Sequence, residues 1–324
     1  MAAAEPERTG ASLHRGGAAG RQPPDKPSDL PPGSTRDILK RTLREYKADN
    51  LADLAAALTY YAILAIFPAL LALVSIVGLL SKSTAKSLTD NITSVAPGAV
   101  RSTLTSIVSQ VQAGGNKALI PLVIGVAVAL WSASGYVAAF MRAGNAVYDI
   151  DEGRPAWKTL PLRLAITVFL VVVLAAISVG IVFTGGLARK TGHILGLGDT
   201  AVTVWNYAKW PVMVLLFAMV VAVLHWAAPN VRHAFRWVTR GSLLSVAIWI
   251  VASVLFAVYV ANFGSYNKTY GTFAGIIVFL VWLWISNIAL LLGLEFSAES
   301  ERSRARAAGH PAGEEPYVEP RDRP

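Results

Sequence analysis

Long uncharged stretches separated by short charged connections form the main pattern of this chain. Six stretches of more than about 20 residues contain no Asp, Glu, Lys or Arg, and a helix of that length crosses the hydrocarbon core of a bilayer. The predicted spans cover residues 54–81, 118–141, 164–188, 203–227, 241–263 and 271–294; in the fourth, Lys209 precedes the uncharged stretch, which runs over 210–231. The pattern therefore predicts an all-α polytopic membrane protein with six transmembrane helices.

Three regions follow from this pattern. Residues 1–33 are rich in Gly, Pro and Ala and lack a continuous apolar core, which predicts a disordered cytoplasmic arm. Residues 34–300 form the predicted transmembrane domain. Residues 301–324 are polar and predict a disordered cytoplasmic tail.

Two segments outside the spans have helical periodicity of their own. Leu39, Leu43 and Tyr46 recur at helical spacing among basic residues, which indicates a short amphipathic helix on a membrane surface. Apolar residues also recur at helical spacing over 84–112, with a break at Pro97–Gly98. This segment predicts two short amphipathic helices on the extracytoplasmic side, after the first span.

The distribution of Lys and Arg predicts the orientation. Basic residues are concentrated before the first span, in the connections after the second and fourth spans, and after the sixth span. Cytoplasmic connections carry such an excess, so both termini are expected in the cytoplasm. The chain is expected to lie in the plasma (inner) membrane.

Composition narrows the class of protein further. The chain is 54% hydrophobic and 15% charged, with a net charge of +9 and no cysteine. The low charge favours a membrane protein, and the basic excess is better explained by cytoplasmic ends than by nucleic-acid binding. Without cysteine, neither a disulfide nor a thiolate metal site can form. Membrane lipids are the expected partners, with a homo-oligomer or envelope proteins as further candidates.

Four sequence patterns occur together in this order: AAALTYYAILAIFPALLALVSIVG (55–78), LWSASGYVAAFMRAGNAVYDI (130–150), APNVRHAFRWVTRG (228–241) and YVANFGSYNKTYGTFAGIIVFLVWLWISNIALLLGLEFSAE (259–299). Together they resemble the YihY/BrkB family of bacterial inner-membrane proteins over about 36–301. The resemblance implies six membrane helices with both ends inside. Members were once labelled ribonuclease BN, and some are linked to serum resistance or suspected of transport, so the resemblance defines topology better than activity.

The first predicted span contains Tyr60, Tyr61 and Pro68. A proline removes a backbone donor and kinks a helix, which leaves carbonyl groups free near the middle of the membrane. Broken helices of this kind form substrate sites in transporters. A packing kink with aromatic neighbours is the favoured interpretation, and the three residues are kept as translocation-path candidates because the resemblance includes them.

A second group of candidates lies toward the cytoplasmic ends of the spans. Trp131 and Ser134 belong to the inner half of the second span, and Asn145 follows it. Pro229 and Asn230 open the connection after the fourth span. These groups are candidates for an inner mouth, although serine can also bond to its own helix backbone as part of ordinary packing.

Candidates near the outer end are aromatic residues and glycines. Tyr266 and Tyr270 lie between the last two spans, where aromatic side chains normally act as interface anchors and an outer gate is the alternative. Gly271 and Gly275 are four residues apart, a spacing that predicts close packing of helices.

Glu295 is the carboxylate nearest a span. An acidic group inside a bundle marks an ion or proton path by default. Because the run before it is already long enough to cross, an interfacial residue paired with a basic connection is the favoured interpretation.

The chemistry-bearing residues do not predict an enzyme. The five histidines include no pair at metal-ligand spacing, and no nucleophile and base pair is evident. We therefore expect no metal, cofactor or ribonuclease activity. The leading hypothesis is translocation of a lipid-like or cell-envelope-related solute, and the alternative is a non-catalytic membrane scaffold for envelope machinery.

Overall fold

The computed structural model describes residues 34–80, 119–182, 199–232, 238–262, 272–311 and 315–323. These ranges form seven helices: α1 (Ser34–Ala48), α2 (Leu51–Leu80), α3 (Leu119–Val147), α4 (Ala156–Val182), α5 (Asp199–Ala227), α6 (Arg240–Asn262) and α7 (Thr272–Ala307). The predicted all-α fold class is confirmed. The predicted arm over 1–33, the amphipathic segment over 84–112, and Tyr266, Tyr270 and Gly271 lie outside the described residues.

The long helices match the predicted spans. Within the described residues, α3 to α7 are each long and apolar enough to cross a membrane. Helix α2 has 30 residues, and its described side chains form an apolar segment over Leu51–Ile66. Helix α7 is longer than expected, because it continues from the predicted end at 294 to Ala307. The chain is therefore a multi-pass membrane protein.

Helices α2 to α7 form a closed ring. Each helix contacts the next one in the chain, and α7 returns to contact α2 and α3. Because α2, α4 and α6 begin where α3, α5 and α7 end, one end of the ring gathers residues 49–50, 148–155, 228–232 and 295–302. We call it the polar end. It contains the buried ionisable and amide groups considered below.

Two residues in the left-handed region reverse the chain at this end. Asn50 and Asp149 both have φ of 51°, a conformation that Asn and Asp tolerate better than most side chains. Asn50 lies between α1 and α2, and Asp149 follows the last turn of α3. The turns set the ends of these helices next to the connection that precedes α4.

Helix α1 lies against the ring with one face. It contacts α7 and α2, and Ile38 and Thr42 are buried there. Leu39 and Leu43 remain exposed. This division supports the predicted amphipathic helix, with its exposed leucines available to a membrane surface.

The outer surface of the ring is apolar. On α6, Val251, Val254, Leu255 and Val258 are each more than half exposed. A continuous apolar surface of this kind is rare on a water-soluble monomer. It is the expected surface of a helix that faces lipid.

Small residues bring α6 and α7 together closely. A Cβ atom added to Gly293 would collide with the Gly241 carbonyl oxygen and the Ser245 hydroxyl, and one added to Gly241 would collide with Ser297 and the Gly293 carbonyl oxygen. Ser245 also donates a hydrogen bond to the Leu290 carbonyl oxygen at 3.2 Å. Glycine and serine four residues apart on both helices thus allow backbone contact.

This close crossing is not at the predicted position. Gly275 is exposed, and a Cβ atom added to it would meet nothing within 4 Å. A glycine pair in sequence indicates only that close approach is sterically allowed. The ring geometry places the α6–α7 contact near the other end of α7.

The structure differs from the expected disordered tail over 301–324. Helix α7 extends through Ala307, and the later residues 315–323 pack on the polar end. Tyr317 is buried, and Pro320 forms an isolated antiparallel bridge with Val231. The tail packs against polar groups, so its own sequence is polar. A polar composition is also typical of disordered segments, which is why disorder was predicted.

Candidate functional site

Two asparagines join the connections at the polar end. The Asn230 backbone N–H donates to Asn145 Oδ1 at 2.8 Å, and Asn145 Nδ2 donates to Glu152 Oε2 at 3.0 Å. Both asparagines are buried. Pro229 packs on Gly144, where an added Cβ would lie 2.9 Å from the proline ring. The structure therefore brings the candidates Asn145, Pro229 and Asn230 together at the polar end, a convergence that the sequence did not predict.

Arg154 occupies the centre of this network. Its guanidinium donates to the Ala228 carbonyl oxygen at 2.8 Å and pairs with Glu152 at 2.6 Å. The last carbonyl groups of α5 have no partner inside the helix, and a cation there is stabilised by the helix dipole. Partial burial opposes ionisation of Glu152, but its hydrogen bonds and ion pair with Arg154 prevail and lower its pKa. Arg154 is not among the residues that the sequence pattern predicted for the site.

The tail completes the network. Asn230 Nδ2 donates to the Asp322 carbonyl oxygen at 2.8 Å, and Arg321 donates to the Val231 carbonyl oxygen at 2.8 Å. Lys158 forms an ion pair with Asp322. Residues at the α3–α4 connection, the α5–α6 connection and the tail are thereby held in one arrangement.

Acidic side chains form a second cluster at the polar end. Glu295 is 1% exposed, and its carboxyl group lies beside that of Asp49. Two adjacent carboxyl groups repel each other when both are ionised. Glu299 pairs instead with Arg302, which also pairs with Asp149, each at 2.6 Å.

The position of Glu295 differs from the interpretation favoured above. An interfacial carboxylate paired with a basic connection was expected, but the side chain beside Glu295 is that of another acid, Asp49. The nearby Arg302 bonds to Glu299 and Asp149. The sequence does not show which of several nearby acids Arg302 will contact, because that depends on the folded positions of the side chains. The pairing of Arg302 with Glu299 and Asp149 was therefore not predictable.

This cluster makes stability depend on pH through Asp49. Burial, followed by the charges of Asp149 and Glu45, raises the pKa of Asp49 to about 6. An acid whose pKa is raised by folding stabilises the protein most when protonated, so this contribution is lost as pH rises from about 4, the ordinary pKa, toward 6.

We therefore expect Asp49→Asn to stabilise the protein at pH 7.5. Asparagine resembles the protonated acid, and the gain should be on the order of 1 kcal/mol because solvent screens this half-buried group. Thermal unfolding in detergent at pH 7.5 and pH 4 measures it, and the gain should disappear at pH 4. Asp151→Asn, at an exposed carboxylate in the next connection, is the control. A gain of equal size at both pH values would contradict the assignment.

A chain of hydrogen bonds crosses the interior between α2, α3 and α7. Tyr136 donates to Asn287 Oδ1, and Asn287 Nδ2 donates to Thr59 Oγ1, each at 3.0 Å. Thr59 and Asn287 are buried. Polar side chains inside a membrane domain are costly unless bonded, and they commonly mark function. We call these three residues the polar node.

A lateral groove opens beside the polar node, between α2 and α7. It has a volume of about 250 Å³ and is lined by Ala56, Thr59, Leu280, Val281 and Trp284. The Trp284 indole donates to the Ala52 carbonyl oxygen at 3.1 Å. The groove therefore combines apolar walls with the Thr59 hydroxyl group at its base.

Those predicted candidates whose side chains the structure describes do not converge on one cavity. Tyr60 and Trp131 are more than half exposed. Tyr61 lies against Gly135, and Ser134 accepts a hydrogen bond from Arg163. Pro68 falls within α2, with its side chain outside the described residues. Tyr60 follows Ala56 by one helical turn, which places it near the groove.

The one histidine in a membrane-spanning helix of the described chain, His225, contacts a backbone carbonyl group. His225 is buried, with Nε2 3.1 Å from the Leu290 carbonyl oxygen. In the part of the chain that the structure describes, no three His, Asp or Glu side chains are grouped to hold a metal ion.

Comparison with known proteins gives the family. The model of the virulence factor BrkB family matches residues 42–316. The ribonuclease-like protein YfkH of Bacillus subtilis is 31% identical over 261 residues, which cover 81% of this chain and 94% of YfkH. UPF0761 membrane proteins from Aromatoleum aromaticum and Azoarcus are 23% and 24% identical, and the matches cover 65% and 63% of their lengths. No solved structure matches. The chain belongs to the virulence factor BrkB family of membrane proteins.

Proposed function

We propose that this protein translocates a lipid-like amphiphile of the cell envelope across the plasma membrane, with the α2–α7 groove as its path. The observation that supports the proposal is the polar node at the base of a groove with apolar walls. A lipid headgroup can bond to Thr59 there while its chains stay in the bilayer. No covalent step is required, so the proposed role is non-enzymatic.

The proposed orientation places the polar end in the cytoplasm. Basic residues of the described chain are concentrated there, as cytoplasmic ends require. They are Arg142, Arg154, Lys158, Arg163, Arg232, Arg240, Arg302, Arg304 and Arg306. Reporter fusions to each terminus measure this orientation.

Thr59→Val is the sharpest test of the groove. It removes the hydroxyl that donates to the Ala55 carbonyl oxygen and accepts from Asn287, while it keeps the side-chain volume. The full chain is reconstituted in vesicles with fluorescent phospholipid or polyprenyl-phosphate analogues, and movement between leaflets is followed by quenching. We expect the rate to fall about fivefold, because one hydrogen bond to the moving headgroup is lost.

Thr167→Val is the matched control. Thr167 is also buried, but its hydroxyl donates to the Arg163 carbonyl oxygen of its own helix, on α4. This variant should translocate at the rate of the unmodified protein. Equal rates for Thr59→Val and the unmodified protein would exclude the groove as the path.

The competing proposal is a non-catalytic scaffold, and the network that joins connections and tail at the polar end favours it. A scaffold needs a fixed surface, and the Asn145, Asn230 and Arg321 bonds supply one. Vesicles that show no flux with any lipid, together with a stable envelope protein partner or homo-oligomer in gentle detergent, would support this second function.

A further inference from the structure

Two arginines near the polar end have no acidic partner among the residues that the structure describes. Arg142 lies five residues before the end of α3, and Arg163 lies seven residues after the start of α4. These positions are about 8 and 10 Å from the helix ends along the axes. Among the described residues, neither guanidinium forms an ion pair.

Aromatic rings hold both guanidinium groups over one strip of α3. The Arg142 Cζ lies 5.7 Å from the centre of the Tyr61 ring, and the Arg163 Cζ lies 5.3 Å from the centre of the Trp131 ring. Gly135 lies between them, where an added Cβ would be 3.3 Å from Tyr61. Positions 131, 135, 138 and 142 share one helix face, so the strip runs from one aromatic–arginine pair to the other.

Ser134 fixes the orientation of Arg163. The Arg163 Nε donates to the Ser134 carbonyl oxygen at 2.9 Å and to its hydroxyl at 2.8 Å. Ser134 is completely buried. This leaves the two terminal nitrogens of the guanidinium to bond to an acceptor outside the chain.

Arg142 packs on Tyr61, which contacts Gly135, and Arg163 bonds to the adjacent Ser134, so both positive charges lie along the same part of α3. Like charges held together without a counterion are unfavourable, most of all beside a membrane interior of low dielectric constant. An anion between them removes the repulsion and accepts hydrogen bonds from planar donors that suit phosphate geometry.

We propose that Arg142 and Arg163 bind the phosphate headgroup of an anionic membrane lipid, with Tyr61 and Trp131 as the walls of the site. Both arginines lie within about 10 Å of the helix ends, on the side that the basic residues mark. Val128, one turn from Trp131, is exposed and offers apolar surface to an acyl chain. The site lies between α2, α3 and α4 and is separate from the α2–α7 groove, so it does not depend on the proposed translocation.

Lipid binding to the full chain in detergent tests this site. Native mass spectrometry measures the affinity for phosphatidylglycerol and, as the uncharged comparison, phosphatidylcholine. Phosphatidylglycerol should bind more tightly, and Arg142→Gln should weaken its binding about tenfold through loss of one charge-assisted contact. Arg240→Gln, which removes an exposed charge at the same end of the ring, should leave the affinity unchanged.

Further variants separate binding from folding. Arg163→Gln should weaken phosphatidylglycerol binding to a similar extent, and Arg163→Lys should restore part of it. If Arg163→Gln does not fold, Arg142→Gln decides, because Arg142 is exposed and its replacement leaves the core unchanged. Equal affinities for the two lipids, or full affinity in Arg142→Gln, would overturn the proposal. Displacement of the lipid by millimolar inorganic phosphate would identify a free anion as the occupant and would overturn the lipid assignment.

Discussion

Arg154→Met is expected to lower the free energy of unfolding by about 3 kcal/mol, the scale for breaking one side of a buried ion pair. Methionine keeps most of the apolar volume of arginine but removes every donor. The Ala228 carbonyl oxygen would lose its 2.8 Å bond, and Glu152 would lose its 2.6 Å partner. Because Arg154 is buried, water can replace these bonds only if the connection opens. Unfolding in mixed detergent micelles measures the loss.

Lys158→Met is the matched control for this prediction. Lys158 also forms an ion pair, with Asp322, but its side chain is 40% exposed. Exposed ion pairs contribute about 0–1 kcal/mol, so this variant should remain close to the unmodified protein. Similar losses in the two variants would show that charge at the polar end, rather than the buried bonds of Arg154, determines stability.

Gly293→Ala is expected to have the second large effect, a loss of about 2–3 kcal/mol typical of overpacking. The added methyl group would meet the Gly241 carbonyl oxygen and the Ser245 hydroxyl. A backbone atom cannot rotate away as a flexible side chain can, so α6 and α7 must separate. Separation also stretches the 3.2 Å bond from Ser245 to the Leu290 carbonyl oxygen.

Gly275→Ala provides the same substitution on the same helix without the collision. The added Cβ would meet nothing within 4 Å, and alanine is favoured over glycine in a helix by up to about 1 kcal/mol. This variant should be as stable as the unmodified protein or slightly more stable. Thermal midpoints of both variants in one detergent give the comparison, and equal destabilisation would contradict the assigned crossing.

The contrast between Gly293 and Gly275 shows what a glycine pattern in the sequence can and cannot predict about helix packing. Gly271 and Gly275 have the spacing of a close-packing motif, and the spacing shows that approach is possible. Which glycine is actually used depends on where the partner helix lies. The α6–α7 contact instead uses Gly241 and Ser245 on α6 and Gly293 and Ser297 on α7. The two pairs are far apart in the sequence.

Polar groups show the same limit. Asn145 and Asn230 could be selected because amides beside a span are unusual, but their contact joins residues that are 85 positions apart. Arg154, Tyr136 and the tail around Asp322 were missed, since each looks ordinary among its sequence neighbours. Tyr136 and Asn287 are 151 positions apart.

The sequence by itself determined that the chain crosses a membrane several times through helices, because apolar transfer free energy accumulates residue by residue along a local stretch. It also determined the family, since ordered local patterns are sufficient for a match. Only the tertiary structure decided which buried polar groups meet, that Glu295 lies beside Asp49, and that the tail joins the polar end. Those outcomes depend on distances of a few ångströms between segments remote in the chain, and packing of the whole ring sets those distances.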